Sequence, residues 1–169
     1  MRKGHVMSKL AFIFPGQGAQ KAGMGKDFYE NSEAARSFFD QAQKILDFDL
    51  KEMCFGEHEE LNLTEYTQPC MVSVCLAIVQ ELKKRGINPD ITAGLSLGEY
   101  AAVAAAGGMN ELDAIKLVRR RGILMQSTVP AGEGAMAAVL GLDAKKIEEI
   151  LESFENVWIA NYNCPGQIV

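Results

Sequence analysis

The sequence predicts an α/β fold. The mainly apolar segment 9–14, which Pro15-Gly16 follows, predicts a first strand buried on both faces. Residues 91–106 predict a second strand, a sharp turn and an Ala-rich helix. Between these segments, apolar residues recur at helical spacing over 27–46 and 69–84. Strands that alternate with helical segments are typical of α/β proteins.

Length and composition limit the classes of function. The chain has 169 residues, which suits one ordinary domain, and 48% of them are hydrophobic. The net charge of -5 forms no basic stripe, so a nucleic acid partner is not expected. The sequence contains no apolar run of membrane-spanning length and no signal peptide, so we expect a cytoplasmic protein without membrane association. Its partners are expected to be small molecules or proteins.

The chain has four cysteines, which are Cys54, Cys70, Cys75 and Cys164. They form no C-x-x-C pair, and His5 and His58 are the two histidines, so we expect no zinc site, no other metal and no cofactor. The cysteines are expected to be reduced and mostly buried thiols. Residues 1–6 are polar and precede a second methionine, so we interpret them as a cloning remnant or an upstream start.

The residues from Gly94 to Gly98 match the nucleophile-elbow pattern G-x-S-x-G. In this pattern Ser96 occupies a strained turn, and the flanking glycines avoid a clash between strand and helix. The start of the helix leaves unpaired N–H groups beside Ser96, where they would stabilise negative charge on a bound acyl group. The motif favours acyl transfer, although three fixed residues in five also occur together by chance.

A glycine-rich loop, residues 16–25, follows the first strand. Its spacing fits neither G-x-G-x-x-G, because position 21 is lysine, nor the P-loop, because no Ser or Thr follows Lys26. Two interpretations stay open. The loop is either a simple turn or the loop from which an elbow enzyme recruits its second oxyanion-hole donor.

The middle of the chain predicts mostly helices. One or two helices are expected over 27–46, an acidic irregular segment over 47–68, and a strong amphipathic helix that Pro69 starts and Arg85-Gly86 ends. His58 lies among carboxylates, and we interpret it as a solvated surface residue rather than a catalytic base.

A further helix is expected from Glu111 to about Gln126, after the break at residues 107–110. A helical wheel puts Arg121 on an apolar face and leaves Lys116, Arg119 and Arg120 outside it. That apolar face contains Ala114, Leu117, Val118, Leu124 and Met125. An arginine on such a face pairs either with a protein carboxylate or with a ligand anion. Both alternatives stay open at this point.

The pattern changes after residue 130. A strand is expected over 134–141, a helix over 143–154 and a strand over 157–160. The last residues predict the start of one more strand. Because a β-α-β unit that stops on an incomplete strand is an unusual end for a packed domain, we expect the chain to be a fragment.

Three separated motifs occur in order: Phe14-Pro-Gly-Gln-Gly-Ala-Gln20, Gly94-Leu-Ser-Leu-Gly-Glu-Tyr100 and Arg121-Gly-Ile-Leu-Met-Gln126. Two shorter ones are Thr67-Gln-Pro69 and Asn163-Cys-Pro-Gly-Gln-Ile-Val169. Together they resemble the malonyl-CoA:acyl carrier protein transacylases of fatty acid synthesis, over nearly every residue from Met7 onward. The resemblance implies an α/β-hydrolase-like core over 7–130, a parallel sheet with flanking helices, and the start of a ferredoxin-like subdomain over 131–169.

The resemblance also implies roles for particular residues. Ser96 would take the malonyl group from malonyl-CoA as an ester and pass it to the phosphopantetheine thiol of acyl carrier protein. The backbone N–H groups of Gln17 and Leu97 would form the oxyanion hole. Arg121 would bind the malonyl carboxylate through a two-pronged ion pair.

Two positions depart from the family pattern. The family usually has histidine before the nucleophile, where this chain has Leu95. The general base of the family is a histidine in the C-terminal half, and neither His5 nor His58 matches it. Loss of such a base costs several orders of magnitude in related Ser-His-Asp systems. The 169 residues alone are therefore expected to be nearly inert.

Two rival functions stay open. A serine esterase or hydrolase uses the same elbow with water as the acyl acceptor, but a hydrolase of neutral esters has no use for the cation of Arg121. The other rival is a non-catalytic fragment that needs a C-terminal partner. Preference for malonyl over methylmalonyl groups also stays open.

Overall fold

The structure is a computed structural model that describes residues 9–130 and 132–169. The predicted leading segment 1–6, and with it His5, lies outside the described residues. So does Ala131, where the second subdomain was expected to begin. Among the helices described, none is both long enough and apolar enough to span a bilayer.

The chain divides into two compact units, with the boundary between Val129 and Pro130. The elements described in the first unit are strands β1 (Ala11–Phe14) and β2 (Ile91–Gly94), helices α1 (Lys26–Asn31), α2 (Glu33–Gln43), α3 (Leu50–Phe55), α4 (Thr64–Lys84), α5 (Gly98–Ala105) and α6 (Glu111–Thr128), and a 3-10 helix (Glu59–Asn62). β1 and β2 are parallel neighbours, and Phe14 lies opposite Gly94. Parallel strands need a crossover connection, which α1 to α4 provide. The predicted α/β class is confirmed.

β1 alternates between buried and exposed positions. Phe12 and Phe14 pack with the core, whereas Ala11 is exposed and Ile13 is 77% exposed. The prediction that this strand is buried on both faces is therefore wrong. Within the described residues, core side chains cover only one face of the two-stranded sheet, so the strand follows the period of two of a half-covered sheet.

The segment from Asp27 to Leu46 forms two helices, α1 and α2. They are separated at Ser32, whose side chain accepts a hydrogen bond from the Ala35 N–H and caps α2. The buried residues of α2 are Ala35, Phe38, Phe39 and Ala42. Their spacing is the one expected for an amphipathic helix.

α4 is buried around much of its circumference and packs against α2, α5 and α6. It begins at Thr64 and not at Pro69, and α3 also falls inside the segment predicted to be irregular. Those two predictions are wrong. Capping explains α3, because Asp49 accepts hydrogen bonds from the N–H groups of Lys51 and Glu52.

Pro69 lies inside α4 because a side chain replaces the hydrogen bond that proline cannot make. A helical residue normally donates its N–H to the carbonyl four residues earlier, which here is Glu65. The Glu65 carbonyl accepts from Arg119 Nη1 at 2.8 Å instead. The helix therefore continues through the proline without leaving that carbonyl unpaired.

The second unit contains strands β3 (Val139–Leu140), β4 (Tyr162–Cys164) and β5 (Gln167–Ile168), and helix α7 (Ala144–Leu151). The strands form an antiparallel sheet in the order β3-β5-β4. Asp143 caps α7 by accepting from the Lys145 N–H. The expected final strand is therefore present, and it is the middle strand of the sheet.

Two strand predictions in this unit need correction. The strand expected over 134–141 is reduced to Val139–Leu140, and residues 157–160 form no strand. The strand lies instead on the polar segment Tyr162–Cys164, which leads into a turn whose Gly166 has φ of +79°. Turn chemistry thus fixes the hairpin, while the apolar Trp158 is 76% exposed.

Candidate active site

Ser96 stands at the turn between β2 and α5. Its φ is +50°, in the left-handed region that side chains larger than glycine seldom adopt. Such a conformation typically costs about 1 to 3 kcal/mol, which the surrounding packing must offset. The neighbouring Leu97 is 1% exposed and anchors the turn, whereas Ser96 itself is exposed. The predicted strand, strained turn and helix are confirmed.

The two flanking glycines permit a very close approach of three elements. A Cβ at Gly94 would lie 2.1 Å from the carbonyl carbon of Gly98. A Cβ at Gly98 would lie 2.3 Å from the carbonyl oxygen of Phe14, at the end of β1. Both distances are far below van der Waals contact, so only glycine fits at either position.

The loop that follows β1 lies against the elbow. A Cβ at Gly16 would lie 2.9 Å from the carbonyl oxygen of Leu95. Among the described residues, the N–H groups of Gln17 and Leu97 donate to no protein acceptor. Both groups are thus available to a ligand, although their role in an oxyanion hole stays a prediction.

Arg121 extends from α6 to the elbow. Its Nη2 lies 3.4 Å from Ser96 Oγ, its Nη1 donates to Gln68 Oε1 at 2.8 Å, and its guanidinium stacks over the Tyr100 ring at 5.6 Å. Among the residues that the structure describes, no carboxylate oxygen lies within 4.0 Å of this guanidinium. Of the two alternatives left open by the sequence, the pair with a protein carboxylate is therefore not observed.

A cavity of about 260 Å³ opens beside these side chains. Its lining consists of Ser96, Glu99, Tyr100, Val103, Met109 and Arg121. The lining combines the serine hydroxyl, the cation of Arg121, the acidic residue Glu99 and several apolar or aromatic side chains. Such a site can hold a small acyl group that carries a negative charge at its far end.

The helical wheel that singled out Arg121 was right for only part of the buried face of α6, since Ala114 and Val118 are buried as predicted. The buried positions are Ala114, Ile115, Val118 and Gly122, whereas Leu117, Leu124 and Met125 are exposed. The side chain of Arg119 is only 13% exposed, so it was wrongly placed outside the buried face. The actual face is set by the close packing of α6 against α4, where a Cβ at Gly122 would lie 2.8 Å from Glu65 Cα.

Arg119 is a structural residue. It makes two hydrogen bonds of 2.9 Å with the carboxylate of Asp47 and lies 3.2 Å from Glu65 Oε2. Its guanidinium also stacks over the rings of Phe48 and Tyr66, at 5.2 and 5.0 Å. The carboxylates of Asp47 and Glu65 compensate the charge of Arg119, whereas Arg121 has only neutral partners among the described residues.

His58 lies away from the elbow cavity. Its Nε2 is 3.0 Å from Glu52 Oε1, and it lines a different, polar cavity with residues such as Lys21 and Asn62. The interpretation of His58 as a surface residue agrees with this position. Leu95, at the position where the family usually has histidine, is 56% exposed.

Other nucleophiles and metal ligands give no competing site within the described residues. Cys54 and Cys70 are buried, Cys75 is half-buried and Cys164 is exposed, and none forms a disulfide. Burial raises the pKa of the Cys75 thiol to about 11, which keeps it protonated and weakly nucleophilic at neutral pH. No group of three or more potential metal ligands occurs in residues 9–130 and 132–169.

Sequence reasoning gave no role to three residues near Ser96 and Arg121. Gln68 is fully buried and bonds Arg121, Tyr100 stacks on it, and Gln126 Oε1 accepts from the Thr64 N–H at the start of α4. All three belong to motifs that carried the family resemblance. Their contacts span 21 to 62 positions in sequence, so no local pattern indicates them.

A strand, a serine in the left-handed region and a helix define a nucleophile elbow, the arrangement of enzymes that carry an acyl group on serine. The model of the acyl transferase domain family matches residues 11–169, and the chain belongs to this family. The resemblance inferred from the motifs is confirmed at this level.

Curated relatives carry a more specific name. The malonyl CoA-acyl carrier protein transacylase of Bacillus subtilis is 49% identical over 168 residues, which cover 96% of this chain and 53% of that relative. The transacylase of the same name from Staphylococcus aureus is 48% identical, with 96% and 54% covered. The chain thus spans about half the length of the curated relatives it matches.

Solved structures agree with the family assignment. The malonyl CoA-acyl carrier protein transacylase of Clostridium perfringens has a TM-score of 0.86 and 44% identity, over 95% of this chain and 52% of that one. The corresponding enzyme of Coxiella burnetii has a TM-score of 0.87 and 39% identity, over 95% and 52%. A third match, with a TM-score of 0.85, 39% identity and coverage of 95% and 54%, is a malonyl-transacylase in complex with a type II PKS acyl-carrier protein.

Proposed function

We propose that this protein is an acyltransferase that moves a malonyl group from coenzyme A to the phosphopantetheine thiol of acyl carrier protein. The observation that carries the proposal is the guanidinium of Arg121, which lies 3.4 Å from Ser96 Oγ and has no carboxylate partner among the described residues. A malonyl group bound to Ser96 brings its own carboxylate, which would pair with this guanidinium. The names of the relatives support the same substrates.

The proposed reaction has two acyl transfers. The Ser96 hydroxyl attacks the malonyl thioester while its proton passes to a base, and coenzyme A leaves as a thiol. The thiol of acyl carrier protein then attacks the seryl ester and regenerates the hydroxyl. The N–H groups of Gln17 and Leu97 would bind the oxyanion that forms in both steps.

The base in this mechanism is not part of the described cavity. No histidine is among the residues that line it, and His58 is paired with Glu52 elsewhere. For a serine without a base, we expect the 169-residue chain by itself to acylate slowly. Experiments on turnover therefore use the full-length gene product.

Arg121 also separates this function from that of a serine esterase. A neutral acyl group would leave the half-buried guanidinium of Arg121 beside Ser96 without an anion. An acyl group with a terminal carboxylate would instead form an ion pair with this cation. The acyltransferase is therefore the better proposal.

The finer architecture and the compartment belong to the proposal as well. The parallel strands with their elbow support an α/β-hydrolase-like core, and the antiparallel strands with α7 support the beginning of a ferredoxin-like subdomain. The proposed partners are malonyl-CoA and acyl carrier protein. Four cysteines without disulfides suit the reducing cytoplasm.

A transfer assay tests the proposal. The full-length gene product is mixed with malonyl-CoA and acyl carrier protein that carries its phosphopantetheine arm. Ser96→Ala is expected to slow the formation of malonyl-acyl carrier protein at least about 10³-fold, since the loss of a catalytic serine is very costly. The exposed Ser37→Ala is the matched control. Transfer that persists in the Ser96→Ala variant, or fails in the unsubstituted protein, would overturn the proposal.

A further inference from the structure

Gln68 connects the two parts of the elbow site. It is 0% exposed, and its side chain lies between Arg121 on α6 and Gln17 in the loop after β1. Its Oε1 accepts from Arg121 Nη1 at 2.8 Å, while its Nε2 faces Gln17 Oε1 at 3.5 Å and Met125 Sδ at 3.3 Å. Both the oxygen and the nitrogen of this buried amide therefore have polar partners.

The orientation of this amide follows from the chemistry of arginine. A guanidinium has only donors, so the end of Gln68 that faces Arg121 must be its carbonyl oxygen. The NH₂ end must then face Gln17, and it requires an acceptor there. Gln17 accordingly presents Oε1 to Gln68 and donates its own Nε2 to Thr64 Oγ1 at 3.0 Å.

The acceptor on Arg121 is neutral. A glutamine oxygen fixes the direction of the guanidinium but leaves its charge uncompensated, whereas a glutamate in the same place would form an ion pair with it. The same side chain is linked to the loop that bears the free N–H of Gln17. One residue therefore influences both the cation and the loop of the predicted oxyanion hole.

We propose that Gln68 is a positioning residue that holds Arg121 in place without neutralising it and holds the loop at Gln17 against the elbow. This inference rests on the proposed function, since it assigns a use to the cation and to the loop. Replacement of the neutral amide by a carboxylate should weaken the selectivity for a charged acyl group. Release of the loop should slow acylation by charged and neutral groups alike.

Two variants of the full-length gene product separate these effects. Gln68→Glu keeps the shape of the side chain and adds a carboxylate beside Arg121. Gln17→Ala removes the exposed side chain that Gln68 contacts. It leaves the backbone N–H of residue 17 and the hydrogen bond between Arg121 and Gln68 in place. Gln41→Glu, on the exposed surface of α2, carries the same change of charge and is the control. Rates of Ser96 ester formation are measured with malonyl-CoA and with acetyl-CoA.

The expected result is a different signature for each variant. Gln68→Glu should lower the ratio of malonyl to acetyl rates, because the new carboxylate competes with the malonyl carboxylate for Arg121. The expected decrease is about ten- to a hundred-fold, the usual effect of one hydrogen bond to a charged group. Gln17→Ala should lower both rates by a similar factor and keep the ratio, and Gln41→Glu should change neither. Melting curves verify that each variant is folded.

Three outcomes would decide against the inference. An unchanged ratio in folded Gln68→Glu would show that Gln68 does not govern the charge at Arg121. If Gln68→Glu does not fold, Gln17→Ala still tests the loop, and unchanged rates there would contradict the coupling. If the unsubstituted protein forms no malonyl ester at all, the proposed function fails and this inference fails with it, which distinguishes the two failures.

Discussion

The side chain of Arg121 is held by neutral partners. Gln68 accepts one hydrogen bond from it and Tyr100 contributes a ring face, so its net charge remains available to a ligand. Arg119, two residues earlier, has two carboxylate partners and is largely buried. Two arginines of one helix thus have different surroundings, one with neutral partners and one with carboxylate partners.

Arg121→Ala is expected to remove the preference for a charged acyl group. Truncation of one member of such a pair typically costs about 2 to 5 kcal/mol, which corresponds to roughly thirty-fold to several-thousand-fold in kcat/KM for malonyl-CoA. Acetyl-CoA should lose little or improve. The measurement is a comparison of kcat/KM for the two substrates in the full-length gene product.

Arg120→Ala is the matched control, because this exposed residue has no ion pair among the described residues. Arg119→Ala is unsuitable as a control, since it would leave Asp47, Glu65 and the Glu65 carbonyl without their donor. If Arg121→Ala keeps the malonyl preference, the role proposed for Arg121 is wrong.

At the scale of elements, the packing of α4 against α6 positions Arg121 and its partner Gln68. Gly122 lets the two helices approach closely, and Gln126 caps the first turn of α4 through the Thr64 N–H. Arg119 supplies the donor that Pro69 lacks. The motif from Arg121 to Gln126 therefore combines one residue that faces the cavity with residues that fix the helix pair.

The ion pair of Asp47 with Arg119 predicts a dependence of stability on pH. A hydrogen bond from Arg119 lowers the pKa of Asp47 below its ordinary value. A lowered pKa in the folded state means that the stabilisation is fully present above about pH 4 and is lost as the pH falls through the folded-state pKa. The exposure of Asp47 makes the effect modest.

Asp47→Asn should therefore flatten the acid side of the stability profile. Melting temperatures are measured from neutral pH down to about pH 2, and the unsubstituted protein should lose more of its stability below about pH 4 than the variant does. Glu155→Gln, an exposed carboxylate without an ion pair among the described residues, is the control. Parallel profiles for Asp47→Asn and the unsubstituted protein would contradict this assignment.

At the scale of the whole molecule, features fixed by local sequence were predictable. The elbow follows from glycine spacing within a few residues, and the cap at Asn110 marks the start of α6. The buried face of α6 was only partly predictable, because it depends on contacts with α4 that are distant in sequence, such as the contact between Glu65 and Arg119, which lie 54 positions apart. The contact of Gln68 with Arg121 was not predictable for the same reason, since the two residues lie 53 positions apart.

In the second unit, local strand propensity predicted a strand at the wrong position. Apolar residues 157–160 have strong strand propensity, yet the strand forms at Tyr162–Cys164 beside the Pro165-Gly166 turn. Propensity reflects how well side chains fit a half-buried surface, and Trp158 finds no such surface in this unit. Turn chemistry and strand pairing determine the outcome there.

The most direct test of the central claim is the identity of the residue that carries the acyl group. The full-length gene product is treated briefly with malonyl-CoA, quenched in acid and digested, and the peptides are sequenced by mass spectrometry. We expect one malonyl ester per chain, located on Ser96 and absent from the Ser96→Ala variant. A malonyl group on another residue, or no covalent intermediate during measurable transfer, would contradict the account.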